Sequence, residues 1–157
     1  MTDQEFAACA GQYLDMVYRI ALNYFGPRRQ DAEDAAQNAM LRLCRTDAPF
    51  EGEEHLRRWL VRVTLNECRR LGASPWRRRT VPLESCPEPV FSDPGQQTLF
   101  QEVMSLPGKY RVPLYLYYYE GYSVEEVGRL MDLKPSTVQT RLARGRERLK
   151  KILTEEE

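Results

Sequence analysis

Five prolines, Pro75, Pro82, Pro87, Pro89 and Pro94, crowd one stretch of the chain. Each fixes φ and lacks an N–H, so residues 72–95 can form neither a regular helix nor a central strand. The stretch reads as a linker, extended where proline dictates. It divides the 157 residues into two pieces, 1–71 and 96–157, each able to close only a small core. On both sides apolar residues recur at helical rather than strand spacing, with no internal repeat and no low-complexity tract. The expected fold class is all-α: two small helical domains joined by a proline-rich linker.

In the first piece, residues 3–25 read as a helix. Tyr13, Leu14, Val17, Ile20, Ala21 and Tyr24 form its apolar face, and Gly26-Pro27 ends it. A second helix is expected over residues 31–45. Ala32, Ala35, Ala36, Ala39, Met40 and Leu43 are its buried side, and the alanines allow close packing. Its outer side carries Glu33, Asp34, Gln37, Asn38 and Leu41. Such an acidic, partly apolar face suits a protein partner, and equally a solvated face whose carboxylates complement the helix N-terminus. A loop with Pro49, Phe50 and Gly52 leads to a third helix over residues 54–71. Leu56, Leu60, Val63 and Leu71 share one side of it. Arg58, Arg62, Asn66 and Arg69 line another, with Trp59 at the border. Arginines beside an aromatic and an amide suit a groove that tracks a nucleic-acid backbone and holds its bases. Taken alone, Trp59 reads as core.

The second piece opens with Leu99, Phe100, Val103 and Met104 in a helix that stops near Leu106-Pro107-Gly108. A Leu- and Tyr-rich helix over residues 109–120 follows, with Val112, Leu116 and Tyr119 expected to pack beneath the elements after it. Gly121 supplies a left-handed turn. Residues 122–152 then hold two helical patterns separated by Asp132-Leu133-Lys134-Pro135. Ser123 is expected to cap the first, with Glu126 as its capping-box partner. In the second, Val138, Leu142, Gly145, Leu149 and Ile152 share one narrow face. Ser136, Thr137, Thr140, Arg144 and Arg148 lie opposite. This is the layout of a helix-turn-helix, whose second helix enters the DNA major groove N-terminal residues first. A helical hairpin with a solvated basic face has the same pattern.

Net charge is zero, but its distribution is uneven. Residues 55–80 carry eight basic groups against one acidic, and residues 134–151 carry seven against one. Two compact basic segments are two electrostatic footprints, each able to displace counterions from a phosphate backbone. No apolar run is long enough to span a bilayer, and the first residues lack a signal-peptide pattern, so a cytoplasmic location is expected. Cys9, Cys44, Cys68 and Cys86 are scattered, and His55 is the only histidine. Too few ligands are present for an ordinary structural zinc site. The thiols are expected to be reduced, with Cys44 and Cys68 as small core residues. Asp31, Glu33 and Asp34 lie along one exposed helix face, without a histidine or a glycine-rich phosphate loop nearby. Neither an enzyme nor a metal or cofactor site is expected.

Four motifs taken together resemble one family. They are DAEDAAQNAMLRL at 31–43, FEGEEHLRRWLVRVTLNECRR at 50–70, Leu106-Pro107 with the Tyr-rich helix, and PSTVQTRLARGR at 135–146. In this order they resemble regions 2.2, 2.3–2.4, 4.1 and 4.2 of the extracytoplasmic-function (group 4) sigma factors of bacterial RNA polymerase. The resemblance implies that Glu33, Asp34, Gln37, Asn38 and Leu41 dock on the β′ clamp helices of the core enzyme, with the β flap as a further contact. It implies that Phe50, Glu53, Glu54, His55 and Leu56 hold a base flipped from the −10 promoter element, with Trp59 and Asn66 nearby. Arg58, Arg62, Arg69 and Arg70 would then hold phosphates. Unstacking costs about a few kcal/mol per step, offset by binding the extruded base. Family members often have an aromatic where this chain has Leu56, which packs against a base but stacks less well. Glu54 has the chemistry to accept from a cytosine amino group.

The same resemblance implies that Thr137, Thr140 and Arg144 read the −35 duplex, with Ser136, Arg141 and Arg148 on its backbone. The linker, with Glu84, Glu88 and Asp93, is expected to thread the polymerase cleft. An anti-sigma factor, often membrane-bound in this group, is an implied partner and would hold the chain at the inner face of the membrane. A stress or envelope-signal regulon is implied as well. A stand-alone helix-turn-helix regulator is the alternative; it uses residues 96–153 but leaves the acidic helix and the Trp-bearing basic helix without a role.

Overall fold

The computed structural model describes residues 1–47, 49–73 and 101–155, and among these it is helical without strands. Two compact units are formed, Met1–Cys86 and Pro87–Glu157. In the first, α1 (Asp3–Phe25), α2 (Arg29–Arg45) and α3 (Glu53–Gly72) all pack on one another. Thr2 caps α1 in a capping box: its hydroxyl oxygen accepts from the Glu5 N–H at 3.1 Å, and the Glu5 carboxylate accepts from the Thr2 N–H at 3.0 Å. Gly26, in the expected position, ends the helix with a positive φ of 66°.

Val17, Ile20 and Ala21 of α1 meet Ala32, Ala35, Ala39 and Leu43 of α2 and Leu60, Val61 and Cys68 of α3, all fully buried. Full burial of a Leu or Ile stabilises by about 1.5–3 kcal/mol. The alanines of α2 let the three helices pack closely.

Several expectations for this unit fail. Leu14 is 47% exposed rather than core, because it sits at the edge of the α1 face that Tyr13, Met16 and Val17 turn inward. Cys44 is exposed, one position beyond the buried Leu43. Asp31 is buried rather than on the outer face of α2, because it lies one turn before the buried Ala35 on the same face. Leu56 is buried with Leu60, Val63 and Leu71, the side of α3 on which its spacing put it.

The second unit contains α4 (Gly108–Leu114), a π-helical turn (Tyr115–Tyr119), α5 (Val124–Met131) and α6 (Pro135–Glu155). Residues 101–104 are helical; Leu99, Phe100 and the linker from residue 74 lie outside the described residues. The single helix expected over 109–120 is therefore two elements. Pro113 removes an N–H from α4, and the chain then winds wider, the Glu120 N–H reaching the Tyr115 carbonyl at 3.1 Å. The wider turn puts Val112 and Leu116 inside as expected but leaves Tyr119 62% exposed, stacked on Tyr115 at 5.1 Å. Arg111 is buried and donates to the carbonyls of Met104 and Leu106, fastening the preceding turn to α4. Burial lowers its pKa to about 10, so it stays charged at neutral pH.

Ser123 caps α5: its hydroxyl oxygen accepts from the Glu126 N–H at 3.2 Å and the hydroxyl donates to the Glu126 carboxylate at 3.1 Å. Asp132 takes the left-handed conformation that ends α5, and Leu133 donates back to the Gly128 carbonyl. In α6, Val138, Leu142 and Gly145 are buried and Leu149 and Ile152 half-buried, which is the expected face. Gly145 seats α6 on α4, since a Cβ there would meet Leu114 at 2.9 Å and Tyr110 at 3.2 Å.

Candidate nucleic-acid and protein-docking surfaces

Helix α2 turns its alanines inward, so the residues between them must face out. Glu33, Gln37 and Leu41 are exposed at successive helical spacings, and Asp34 and Asn38 are half-buried beside them. Gln30 donates to Asp34 at 3.1 Å. Leu41 is 48% exposed, an apolar side chain held out among polar ones. The face is thus continuous and mixed in polarity, as a protein contact requires.

The loop before α3 and the first turns of that helix bring three site residues together. The Phe50 ring meets His55 edge-on at 5.4 Å and Trp59 edge-on at 5.4 Å. The Glu51 N–H donates to His55 Nδ1 at 3.0 Å, which orients the imidazole. Phe50 and Trp59 remain half-exposed, so Trp59 is not the core residue its spacing alone suggests. Glu53 is exposed beside them. Glu54 lies 3.8 Å from Arg57 and 3.4 Å from Arg58, so its carboxylate is already shared by two guanidiniums. Such exposed pairs are weak and open easily. Leu56 is turned into the core beneath them.

Beyond the aromatic cluster, Arg58, Arg62 and Asn66 are exposed and Arg69 is half-buried along one side of α3, with Arg69 donating to Asn66 at 3.2 Å. Arg70 is exposed one turn beyond Asn66, at the border of the row. Its guanidinium makes a double contact with Glu67, at 3.0 and 2.7 Å. Arg77, Arg78 and Arg79 lie outside the described residues.

On α6, Ser136, Thr140 and Arg144 are exposed, and Thr137 and Arg141 are half-buried. The Thr140 hydroxyl donates to the Ser136 carbonyl at 3.0 Å. Arg148 is exposed, and its guanidinium sits over the Tyr110 ring at 5.0 Å, a cation–π contact that binds α6 to α4. Arg146, not singled out by sequence, donates to the Tyr118 hydroxyl at 2.8 Å.

Sequence reasoning also passes over Arg42 and Glu67. The signal is present, because Glu67 falls in the apolar stripe of α3 between Val63 and Leu71, three residues before Arg70. Among the described residues no group of three or more His, Cys, Asp or Glu side chains is arranged to hold a metal. No described helix is long and apolar enough to cross a membrane.

Comparison with known proteins adds to this geometry. Residues 9–79 match the family model "Sigma-70 region 2" and residues 96–149 match "Sigma-70, region 4". The chain is 34% identical to the ECF RNA polymerase sigma factor SigE of Mycolicibacterium smegmatis, covering 90% of this chain and 59% of that protein. It is 30% identical to the ECF RNA polymerase sigma factor SigW of Bacillus subtilis, covering 96% of this chain and 90% of that protein. The fold is similar to that of the sigma factor RpoE of Bartonella quintana, solved with the anti-sigma factor NepR (TM-score 0.73, 21% identity, 96% of this chain and 98% of that one). It is also similar to CnrH, solved with the cytosolic domain of CnrY (TM-score 0.62, 21% identity, 99% and 92%).

Proposed function

The chain belongs to the sigma-70 family, in its extracytoplasmic-function group, and from that premise we propose that it binds core RNA polymerase and directs it to promoters through two DNA elements. The aromatic cluster of Phe50, His55 and Trp59, set directly before the arginine row of α3, carries the reading. Capture of an unstacked base needs an aromatic wall beside cations that hold its backbone. A free-standing duplex reader has no use for that arrangement.

In this reading the exposed face of α2 docks on the β′ clamp helices, and the unit carrying α4–α6 meets the β flap. Glu53, Glu54, Phe50 and His55 surround the flipped −10 base, with Arg58, Arg62 and Arg69 on phosphates. Thr137, Thr140 and Arg144 read −35 base edges, while Ser136 and Arg141 contact the backbone. The regions 1–71 and 96–157 act as a tethered pair across 72–95, so weak contacts combine through effective concentration. An inhibitory anti-sigma protein is a fitting partner, since two proteins of similar fold are seen with such a protein or with a cytosolic partner domain. The chain acts in the cytoplasm as a binding factor, and the chemistry of RNA synthesis belongs to the polymerase.

A pull-down with core polymerase followed by promoter-dependent run-off transcription tests this. Retention on core and a transcript requiring both promoter elements are expected. Absence of retention overturns the reading, and duplex binding without core would favour the stand-alone regulator.

A further inference from the structure

Between α2 and α3 lies a carboxylate that neither the docking face nor the arginine row explains. Glu67 is 3% exposed. Its Oε1 accepts from Arg42 Nε of α2 at 2.6 Å. Its Oε2 accepts from Arg70 Nε at 3.0 Å and from Arg70 Nη2 at 2.7 Å. A buried carboxylate is tolerated only when paired and hydrogen-bonded, and here it is held from two helices.

The pairing also acts on the arginines. Both side chains stay more than half exposed, Arg42 at 58% and Arg70 at 60%. A surface arginine ordinarily samples many rotamers. Pinned by an inner N–H on a fixed, buried oxygen, each guanidinium keeps its remaining N–H groups at the surface. Two guanidiniums on one carboxylate leave a net charge of +1 there. Planar forks of this kind match the oxygens of a phosphodiester.

We propose that Arg42 and Arg70 form a clamp for one backbone phosphate of promoter DNA, with Glu67 as its positioning residue. The proposal rests on the assignment of the arginine row of α3 to DNA. Arg70 lies one helical turn beyond Asn66 of that row, so a strand tracking the row passes beside the clamp. Arg42 thereby extends the DNA contact onto α2, a helix otherwise given to docking on protein. A partner's carboxylate fits the same fork, but the clamp continues a series of cations spaced for a polyanion.

Promoter binding by reconstituted holoenzyme over a range of salt, with core affinity measured separately, tests the clamp. The triple variant Arg42→Ala/Glu67→Gln/Arg70→Ala buries no unpaired charge. It is expected to reduce the slope of log affinity against log salt by about 0.7–0.9, the value for one phosphate, with core affinity unchanged. Arg42→Ala and Arg70→Ala singly should give intermediate slopes. Glu67→Gln should weaken promoter binding in the unaltered protein and have a smaller effect beside Arg70→Ala. A carboxylate with only a structural role would lower the melting temperature without that coupling. An unchanged slope in the triple variant overturns the clamp, and so does a loss of core affinity in Arg42→Ala. Tighter promoter binding by Glu67→Gln also overturns it, since the carboxylate would then mask the arginines rather than aim them. If the unaltered protein fails to bind core or promoter, the underlying reading fails instead.

Discussion

The Cβ that Gly128 lacks would lie 2.7 Å from the carbonyl oxygen of Leu133. The chain folds back on α5 at that point: the Leu133 N–H donates to the Gly128 carbonyl at 2.8 Å, and Asp132 between them is left-handed, with φ 58° and ψ 49°. This close backbone approach sets the turn between α5 and α6, and so sets where Thr137 and Arg144 stand.

Gly128→Ala should therefore destabilise the second unit. In an open helix interior the change gains about 1 kcal/mol. Here the added methyl meets a backbone carbonyl that cannot swing aside, and overpacking of this kind costs about 1–3 kcal/mol. A lower denaturation midpoint is expected; a higher one would show that the turn yields freely.

Leu41→Asp should cost little stability, because the side chain is 48% exposed. It places a charge at the apolar end of the proposed docking face. Core-polymerase affinity should fall about tenfold or more, equivalent to about 1.4 kcal/mol. Wild-type affinity with an unchanged melting curve would move the docking face elsewhere.

Arg144→Ala removes an exposed guanidinium from the first half of α6. If it reads a guanine edge, −35 duplex affinity should drop by about 1–3 kcal/mol and base preference at one position should relax. Uniform weakening across all sequences would make it a phosphate contact.

Cys68 is fully buried in α3, and burial pushes its thiol well above the ordinary value, whereas Cys44 is exposed. Alkylation of the folded protein should modify Cys44 and spare Cys68. The unfolded thiol ionises near 9.0 while the folded one stays protonated. The resulting stability is fully present below that pH and is lost as pH rises above it, by up to about 1.4 kcal/mol per unit. Cys68→Ala, though less stable at neutral pH, should show a shallower decline between about pH 8 and about pH 10. An equal decline in both proteins would assign the alkaline loss to other groups.

Much of the fold is legible before any coordinates, because its causes are local. Apolar spacing and caps set α1 at Asp3–Phe25 and α3 within a residue of its expected ends. The Asp132-Leu133-Lys134-Pro135 break marks the turn between α5 and α6. Where extrapolation fails, a neighbour has changed the local rule. Tyr119 emerges because Pro113 breaks the winding of α4 and a wheel at ordinary helical pitch no longer applies. Leu56, offered as a base contact, goes inward because the α3 stripe to which it belongs faces α1 and α2.

By itself, the sequence determined the class of the protein: helical periodicity, a proline-rich divide, two basic segments and four motifs in order are properties of the chain. Only the tertiary structure decided how individual charges are used. Glu54, Arg70 and Arg148 look like free surface groups in the sequence, yet they meet Arg58, Glu67 and Tyr110. Glu67 looks like one more solvated acid, yet it is buried against Arg42 of another helix. Backbone conformation follows largely from adjacent residues, whereas a charge is governed by whatever the fold brings within a few ångströms of it, from however far along the chain.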